Sequence, residues 1–248
     1  MEGNYGWGLP VAASTFAGDI DWGIKIIHVA MVGIFVLWGI FFTYLLIRYR
    51  QRPGVPANVA KDPLWKSLLP DAAVLVFELF LIFAYALPSW SRIKLNFPKP
   101  EESNVVEVVA EQFAWNFQYA GADGVMGRRD AKFIDSTNVL GLDMEDPHAK
   151  DDVVTLNEMH LPLGKKTLVY LSSKDVIHSL FIPEFRIKQD AMPGMRVPVW
   201  FEPTLAGKYE IACAQLCGNA HATMRGDVIV HAPEEFEAWL KENAPKPE

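Results

Sequence analysis

Cysteine is almost absent from this sequence. Of its 248 residues only Cys213 and Cys217 carry a thiol, and no Cys-x-x-Cys-His motif occurs, which excludes a covalently attached c-type haem. Basic residues are also missing at the start, where Lys25 is the first. Because residues 1–21 contain neither a basic beginning nor a long apolar core, we expect no cleaved signal peptide, and no early cysteine is available to carry a lipid.

Two long apolar runs are present instead. Residues 26–47 form a run of 22 residues, which at about 1.5 Å per residue is enough to cross the roughly 30 Å hydrocarbon layer of a membrane. A second run covers residues 68–90, and Trp65 and Trp90 stand where interfacial anchors are expected. We therefore predict a transmembrane helical hairpin over residues 24–98.

The distribution of lysine and arginine predicts the orientation of this hairpin. The connection between the spans carries Arg48, Arg50, Arg52, Lys61 and Lys66, whereas residues 1–24 carry no basic residue. Short cytoplasmic loops are enriched in lysine and arginine, so we expect the connection in the cytoplasm and residues 1–23 and 99–248 outside it. The polar start without processing signals favours a bacterial inner membrane.

The chain changes character at residue 99, after which short runs of β-branched and aromatic residues alternate with Gly and Pro turns. We predict strands over residues 105–110, 167–171, 197–201, 209–212 and 227–230. Residues 128–152 are interpreted as a surface excursion without a structural role, and residues 233–243 as an amphipathic terminal helix. Several short strands indicate a β-sandwich or barrel, so the fold class is α+β, with a membrane hairpin followed by a β-domain over residues 99–248.

A metal-binding motif lies near the end of this domain. The stretch Cys213-Ala-Gln-Leu-Cys217-Gly-Asn-Ala-His221-Ala-Thr-Met224 places two thiols, an imidazole and a thioether within twelve residues. These soft ligands suit copper, whereas zinc rarely takes a methionine. A blue-copper site uses one cysteine, so the second thiol suggests two copper ions that share both sulfurs. Such a pair needs a further ligand, for which His178 is best placed.

A disulfide between Cys213 and Cys217 is the alternative interpretation, because paired cysteines outside the cytoplasm commonly form one. The neighbouring His221 and Met224 argue for the metal site.

With these residues the chain resembles the dinuclear copper domain, called CuA, of cytochrome c oxidase subunit II, whose copper loop has the same Cys, Cys, His and Met spacing. The resemblance extends to residues 174–179, to residues 187–194 and to the two-helix anchor, so it spans nearly the whole chain. It implies a cupredoxin-like β-domain. The implied copper ligands are His178, Cys213, Cys217, His221, Met224 and the backbone carbonyl of Gln215.

Phe113 and Gln215 are among the positions that depart from the family pattern. Phe113 stands where the family has the tryptophan that receives electrons, and the resemblance therefore points to Phe113 or Trp115 as the place where electrons arrive. Gln215 stands where the family commonly has a glutamate that can bind magnesium. A neutral amide is a poorer magnesium ligand than a carboxylate, so magnesium binding is left open.

The resemblance also implies partners. A haem-copper catalytic subunit I and further oxidase subunits would pack against the chain in the lipid, at Glu78 in the second span and at Lys188 and Asp190. Cytochrome c or a membrane-attached c-type cytochrome would supply electrons, and no nucleic acid is expected. Residues 101–248 contain 24 acidic residues against 14 basic ones, a net charge of about −10 that can steer a basic donor, with Asp175 and Glu184 as docking candidates.

The resemblance thus implies subunit II of a terminal haem-copper oxidase. This chain would accept electrons at CuA, while the partner subunit reduces oxygen to water and pumps protons, so no catalytic residue is expected here. Two alternatives stay open: the CuA subunit of a membrane nitric oxide reductase, and a membrane-tethered copper-binding or assembly protein. A quinol oxidase homologue normally lacks the thiols, and their presence argues against it.

Overall fold

The computed structural model describes residues 8–56 and 63–245. Residues 1–7 of the predicted outer segment, residues 57–62 of the predicted connection, with Lys61, and the last three residues lie outside these ranges. The chain divides into two compact units. One is the helical unit Asp19–Leu95, and the other combines the described residues up to Gly18 with those from Asn96 onward.

The helical unit contains two long apolar helices. Helix α1 spans Ala17–Arg48, and the second begins as α2 (Leu64–Leu81), passes through a π-helical turn at Ile82–Ala86 and continues as α3 (Leu87–Lys94). Both are long and apolar enough to cross a membrane, which confirms the two predicted helices. Both helices extend beyond the predicted spans into polar residues. Asp19 in the first turn of α1 and Arg92 in the last turn of α3 form an ion pair.

The other unit is a two-sheet sandwich. Its first sheet has the order β3-β2-β1-β5-β8 and its second β4-β10-β9-β6-β7, with β1/β5 and β4/β10 parallel and the other neighbours antiparallel. The strands are β1 (Asn104–Glu111), β2 (Ala114–Tyr119), β3 (Val153–Leu156), β4 (Glu158–Pro162), β5 (Thr167–Ser173), β6 (His178–Ile182), β7 (Ile187–Ala191), β8 (Val197–Phe201), β9 (Gly207–Cys213) and β10 (Arg225–His231).

These strands confirm the predicted β-sandwich. All five predicted strands are present, within one or two residues at either end, as β1, β5, β8, β9 and β10. The strands β2, β3, β4, β6 and β7 were not predicted. The last four have only four or five residues, and β7 carries Lys188, Gln189 and Asp190 in its middle. Such segments are strands because their neighbours in the sheet pair with them, rather than by intrinsic preference.

Along β1 and β2, every second side chain is apolar and points to the same side of the first sheet, where these side chains form a core. Val106 and Val108 of β1 and Trp115, Phe117 and Tyr119 of β2 are at most 1% exposed. Successive side chains of a strand point to opposite faces, so the residues between them lie on the other face. On that face lie the buried polar residues Glu107, Asn116 and Gln118, beside the buried Val109.

The segment from residue 120 to residue 152 covers that polar face, so the interpretation of residues 128–152 as an excursion without a structural role is wrong. Arg129 from this segment donates to Glu107 at 2.9 Å, and Arg196 binds the other carboxylate oxygen. Gln118 donates to Asp152 at 2.6 Å. A buried polar group is costly unless it is hydrogen-bonded, and the segment supplies these partners.

The N-terminal segment also packs onto the sandwich. Ala13 donates its amide to the Glu184 carbonyl at 2.9 Å and accepts from the Thr204 amide at 2.9 Å. Phe16, which is 2% exposed, contacts the Trp200 ring edge to face, with centroids 4.6 Å apart. Residues that precede the first predicted span therefore complete the core of the β-domain.

The terminal helix α4 (Pro233–Asn243) has the predicted bounds. Its Trp239 stacks on His160 with ring centroids 3.9 Å apart, and His160 Nδ1 lies 2.8 Å from His231 Nε2. Phe236 of the same helix is 6% exposed. The helix closes one end of the sandwich through this aromatic cluster.

Candidate metal centre

The predicted ligands meet where β9 ends. Cys213 is the last residue of β9, Arg225 the first of β10, and the loop between them holds Cys217, His221 and Met224. His178 comes from far along the chain, but it begins β6, and β6 pairs with β9 through Leu180 and Cys213. One pair of antiparallel strands therefore adds the distant imidazole to a set that is otherwise local in sequence.

The donor atoms face one another at short range. The Sγ atoms of Cys213 and Cys217 are 3.8 Å apart. Cys213 Sγ lies 4.0 Å from His178 Nδ1, and Cys217 Sγ lies 3.6 Å from His221 Nδ1 and 3.8 Å from Met224 Sδ. The donor atoms of His178, Cys213 and Cys217 all lie within 4.8 Å of one another.

The distance between the two sulfurs suits a shared metal rather than a disulfide. Both cysteines are free, and 3.8 Å is far longer than the roughly 2.05 Å of a disulfide bond. Half of that separation is less than the roughly 2.3 Å of a metal–thiolate bond, so a single ion can contact both sulfurs. The carbonyl oxygen of Gln215 is 3.2 Å from Cys213 Sγ and lies in reach of the same space.

Burial controls the protonation of the Cys217 thiol. Burial, followed by the adjacent Cys213, raises the pKa of the Cys217 thiol to about 11. Without a nearby positive charge this thiol stays protonated at neutral pH. Metal binding requires thiolates, so a metal ion bound at Cys217 must displace the proton of this thiol.

Asp175 orients one of the imidazoles. Its Oδ1 accepts from His178 Nε2 at 2.9 Å, which leaves Nδ1 of His178 with a free lone pair directed toward Cys213. Its Oδ2 accepts the amide of Gln112 at 2.7 Å. Burial opposes ionisation, but the hydrogen bonds from His178, Gln112 and Val176 lower the pKa of Asp175 overall. Carboxylates in this position fix the tautomer of metal-binding histidines.

Comparison with known proteins identifies the family. The family model for the cytochrome c oxidase subunit II periplasmic domain matches residues 104–232, which is more than half of the chain. The alternative cytochrome c oxidase subunit 2 of Bradyrhizobium diazoefficiens is 35% identical over 241 residues, covering 95% of this chain and 83% of that protein. The chain belongs to the cytochrome c oxidase subunit II family.

Further subunit II proteins are similar over nearly the same length. Cytochrome c oxidase subunit 2 of Synechocystis is 29% identical, covering 96% of this chain and 76% of the relative. The crystal structure of the periplasmic domain of subunit II from Bradyrhizobium japonicum matches with 27% identity and a TM-score of 0.43, covering 59% of this chain and 95% of that domain. As a member of the subunit II family, the chain is one subunit of a larger haem-copper oxidase and is anchored to a membrane.

Subunit II membership implies copper, and the residues present fit it. Thiolate, imidazole and thioether are the ligands that copper takes in electron-transfer sites, and all three types face the same space here. The β-domain that presents them is cupredoxin-like, as the resemblance implied.

The structure separates the two aromatic residues suggested for electron arrival. Phe113 is 37% exposed and lies against Gly218 of the copper loop. Trp115 is fully buried, with its ring 6.2 Å from that of His178 and its amide bound to the Asn157 side chain. A donor protein can touch Phe113 but not Trp115.

The two docking candidates differ as well. Glu184 is 6% exposed, beneath the N-terminal segment, so its prediction as a docking residue is wrong because a donor cannot reach a side chain buried by the domain's own chain. Asp175 is partly exposed, but both of its carboxylate oxygens already accept hydrogen bonds.

The residues suggested for subunit contact lie on surfaces. Glu78 is exposed on α2. Lys188 and Asp190 are exposed on β7, where Lys188 Nζ lies 4.6 Å from the centre of the Phe181 ring. These positions leave all three side chains available to a partner, as the interface hypothesis requires.

Sequence reasoning gave no role to Gln112, which the structure places between two ligand-bearing segments. Its backbone amide binds Asp175, and its side-chain amide donates to the Cys217 carbonyl at 2.5 Å. The only signal in the sequence is that Gln112 directly precedes Phe113, which is too little to predict contacts 63 and 105 residues away.

Proposed function

We propose that this chain is the subunit of a terminal haem-copper oxidase that receives electrons, and that it holds a dinuclear CuA centre in the loop between β9 and β10. The observation that carries the proposal is the pair of buried, unbonded thiols 3.8 Å apart, each with an imidazole nitrogen within 4.0 Å. One copper ion is served by a single thiolate, so two adjacent thiolates favour a shared pair of ions.

Each ligand has a distinct task in this proposal. Cys213 and Cys217 would hold the copper through their thiolates, together with the imidazoles of His178 and His221. Met224 and the Gln215 carbonyl are the weak ligands, and Met224, 1% exposed, also keeps water from the site. When bound, the copper pair supplies a one-electron redox centre.

The domain supports this task by its rigidity. Cys213 and His178 lie on paired strands, and Asp175 fixes the His178 ring. A ligand set held by strands and hydrogen bonds moves little when the charge of the bound metal changes, so little reorganisation opposes electron transfer.

We further propose where the electrons come from and go. A c-type cytochrome delivers them near the exposed Phe113, and haem in subunit I receives them for the reduction of oxygen to water with proton pumping. The β-domain lies on the outer side of the membrane and the connection between the helices in the cytoplasm, as the basic residues of that connection favour. The family resemblance supports this arrangement.

Electron paramagnetic resonance combined with copper analysis tests the proposal. The full chain is the right material, because residues 13–16 pack into the β-domain and a truncated domain would lack them. We expect two coppers per chain and a seven-line hyperfine pattern, both lost in Cys217→Ser. A four-line signal from one copper, or a chain that binds no copper, would refute the dinuclear centre.

A further inference from the structure

The turn between β1 and β2 contacts two segments that carry copper ligands. The backbone amide of Gln112 donates to Asp175, whose other oxygen holds His178. The side-chain amide of Gln112 donates to the carbonyl of Cys217 at 2.5 Å. One residue is thus hydrogen-bonded both to the His178 side and to the Cys217 side of the centre.

Gly218 shows how closely this turn packs on the copper loop. A Cβ atom at Gly218 would lie 2.8 Å from Gln112 Nε2 and 2.9 Å from Phe113 Cζ, and its φ of +136° is one that other residues rarely adopt. Only glycine at this position lets the turn and the loop touch. The Phe113 ring, 37% exposed, therefore contacts the loop on one side and solvent on the other.

We propose that Gln112 is a positioning residue for the copper centre: its side chain fixes the Cys217 end of the loop and holds the Phe113 ring against Gly218. This inference rests on the proposed function of the loop as a copper centre. The backbone bond to Asp175 does not depend on the side chain, so substitutions at Gln112 change the contact with Cys217 and leave the hydrogen bond that orients His178.

The chemistry of the contact makes the effect specific. A donor to the Cys217 carbonyl sets the direction of the peptide that follows this ligand, and so the direction of its Sγ. Gln112→Glu retains the size of the side chain but has no donor at its end, whereas Gln112→Ala removes the chain altogether. Gly218→Ala displaces the turn from the loop by a different route, because the new methyl group needs the space that Gln112 and Phe113 occupy.

The experiment compares Gln112→Glu, Gln112→Ala and Gly218→Ala with the parent full-length chain in its assembled oxidase. The control is Gln51→Ala, an exposed glutamine on the connection between the helices. We measure copper per chain, the hyperfine pattern, the midpoint potential of the copper signal, the rate of copper release to a chelator and the thermal midpoint. We expect all three variants to keep two coppers, with altered hyperfine splitting, a shifted midpoint potential and copper release faster by about two- to tenfold, the worth of one hydrogen bond.

The outcomes separate this inference from the proposed function. If the parent shows the dinuclear signal and the variants match Gln51→Ala in hyperfine pattern and potential, the positioning role is refuted while the copper centre stands. A lower thermal midpoint with an unchanged copper signal refutes it in the same way, because a purely structural bond would do that. If the parent has no dinuclear signal, both proposals fail.

Discussion

At the scale of single residues, the candidate copper site includes groups that orient its expected ligands without being ligands themselves. Asp175 is the clearest case, because it accepts hydrogen bonds from His178, from Gln112 and from the Val176 amide. An ionised carboxylate there both selects the tautomer of His178 and holds the turn that carries Phe113. The usual cost of removing a carboxylate from such a carboxylate–histidine pair gives a testable expectation.

We expect Asp175→Asn to weaken copper binding by about 10- to 100-fold, the usual cost of removing a carboxylate behind a metal-binding histidine. The asparagine can still accept from His178 or from Gln112, but its amide group cannot do both. Competition with a copper chelator measures the change. Asp227→Asn removes an exposed ion pair between Asp227 of β10 and Lys208 of β9, and it should leave the copper affinity unchanged. Equal affinities for both variants would show that Asp175 does not support the site.

At the scale of secondary-structure elements, the N-terminal segment is part of the β-domain core. We expect Phe16→Ala to lower the free energy of unfolding of the β-domain by about 3 kcal/mol, because it empties a site beside Trp200 where the ring is 2% exposed. Urea unfolding of the full chain in detergent, followed by tryptophan fluorescence, measures this. The matched control is Val11→Ala, since Val11 is 47% exposed and should cost little. Similar costs for the two would mean that the segment does not contribute to the core.

Helix α4 gives the domain a pH dependence. Burial, and then the neighbouring His231, lower the pKa of His160 from an ordinary 6.5 to about 4, although Glu158 opposes the shift. The unfolded chain binds more protons than the folded one between these values, so stability is complete above about pH 6.5 and falls as the pH drops toward 4. Burial lowers the pKa of His231 too, and adds in the same direction.

We therefore expect the free energy of unfolding to fall by about 2 kcal/mol between pH 6.5 and pH 4 through this cluster. His160→Phe retains a ring that can stack on Trp239 but does not titrate, so its stability should depend less on pH over that range. Urea unfolding at several pH values compares the slopes. Parallel curves for the parent and the variant would show that His160 is not the responsible group.

At the scale of the whole molecule, the proposed orientation can be tested directly. A protease site inserted between Pro53 and Gly54, in the connection, should be cut in inverted vesicles and protected in spheroplasts, because its basic residues favour the cytoplasm. The same site inserted at the exposed Gly124 of the β-domain should show the opposite pattern. Cleavage of both sites from the same side would contradict the hairpin arrangement.

The sequence by itself determined the features whose signal is local. Two apolar runs predicted both helices, the spacing of Phe236, Trp239 and Leu240 predicted α4, and the twelve-residue stretch ending at Met224 placed four donors together whatever the fold. These predictions did not require the rest of the chain, because helical periodicity and a short loop involve only residues that are close in sequence.

Only the tertiary structure decided which distant residues meet. It brought His178 to within 4.0 Å of Cys213 through the pairing of β6 with β9, placed Gln112 on Cys217, and buried Glu184 beneath the N-terminal segment. It also turned the polar residues 120–152 into a cover for Glu107 and Gln118. Such contacts depend on the order and register of strands far apart in sequence, and no local preference of a single segment encodes them.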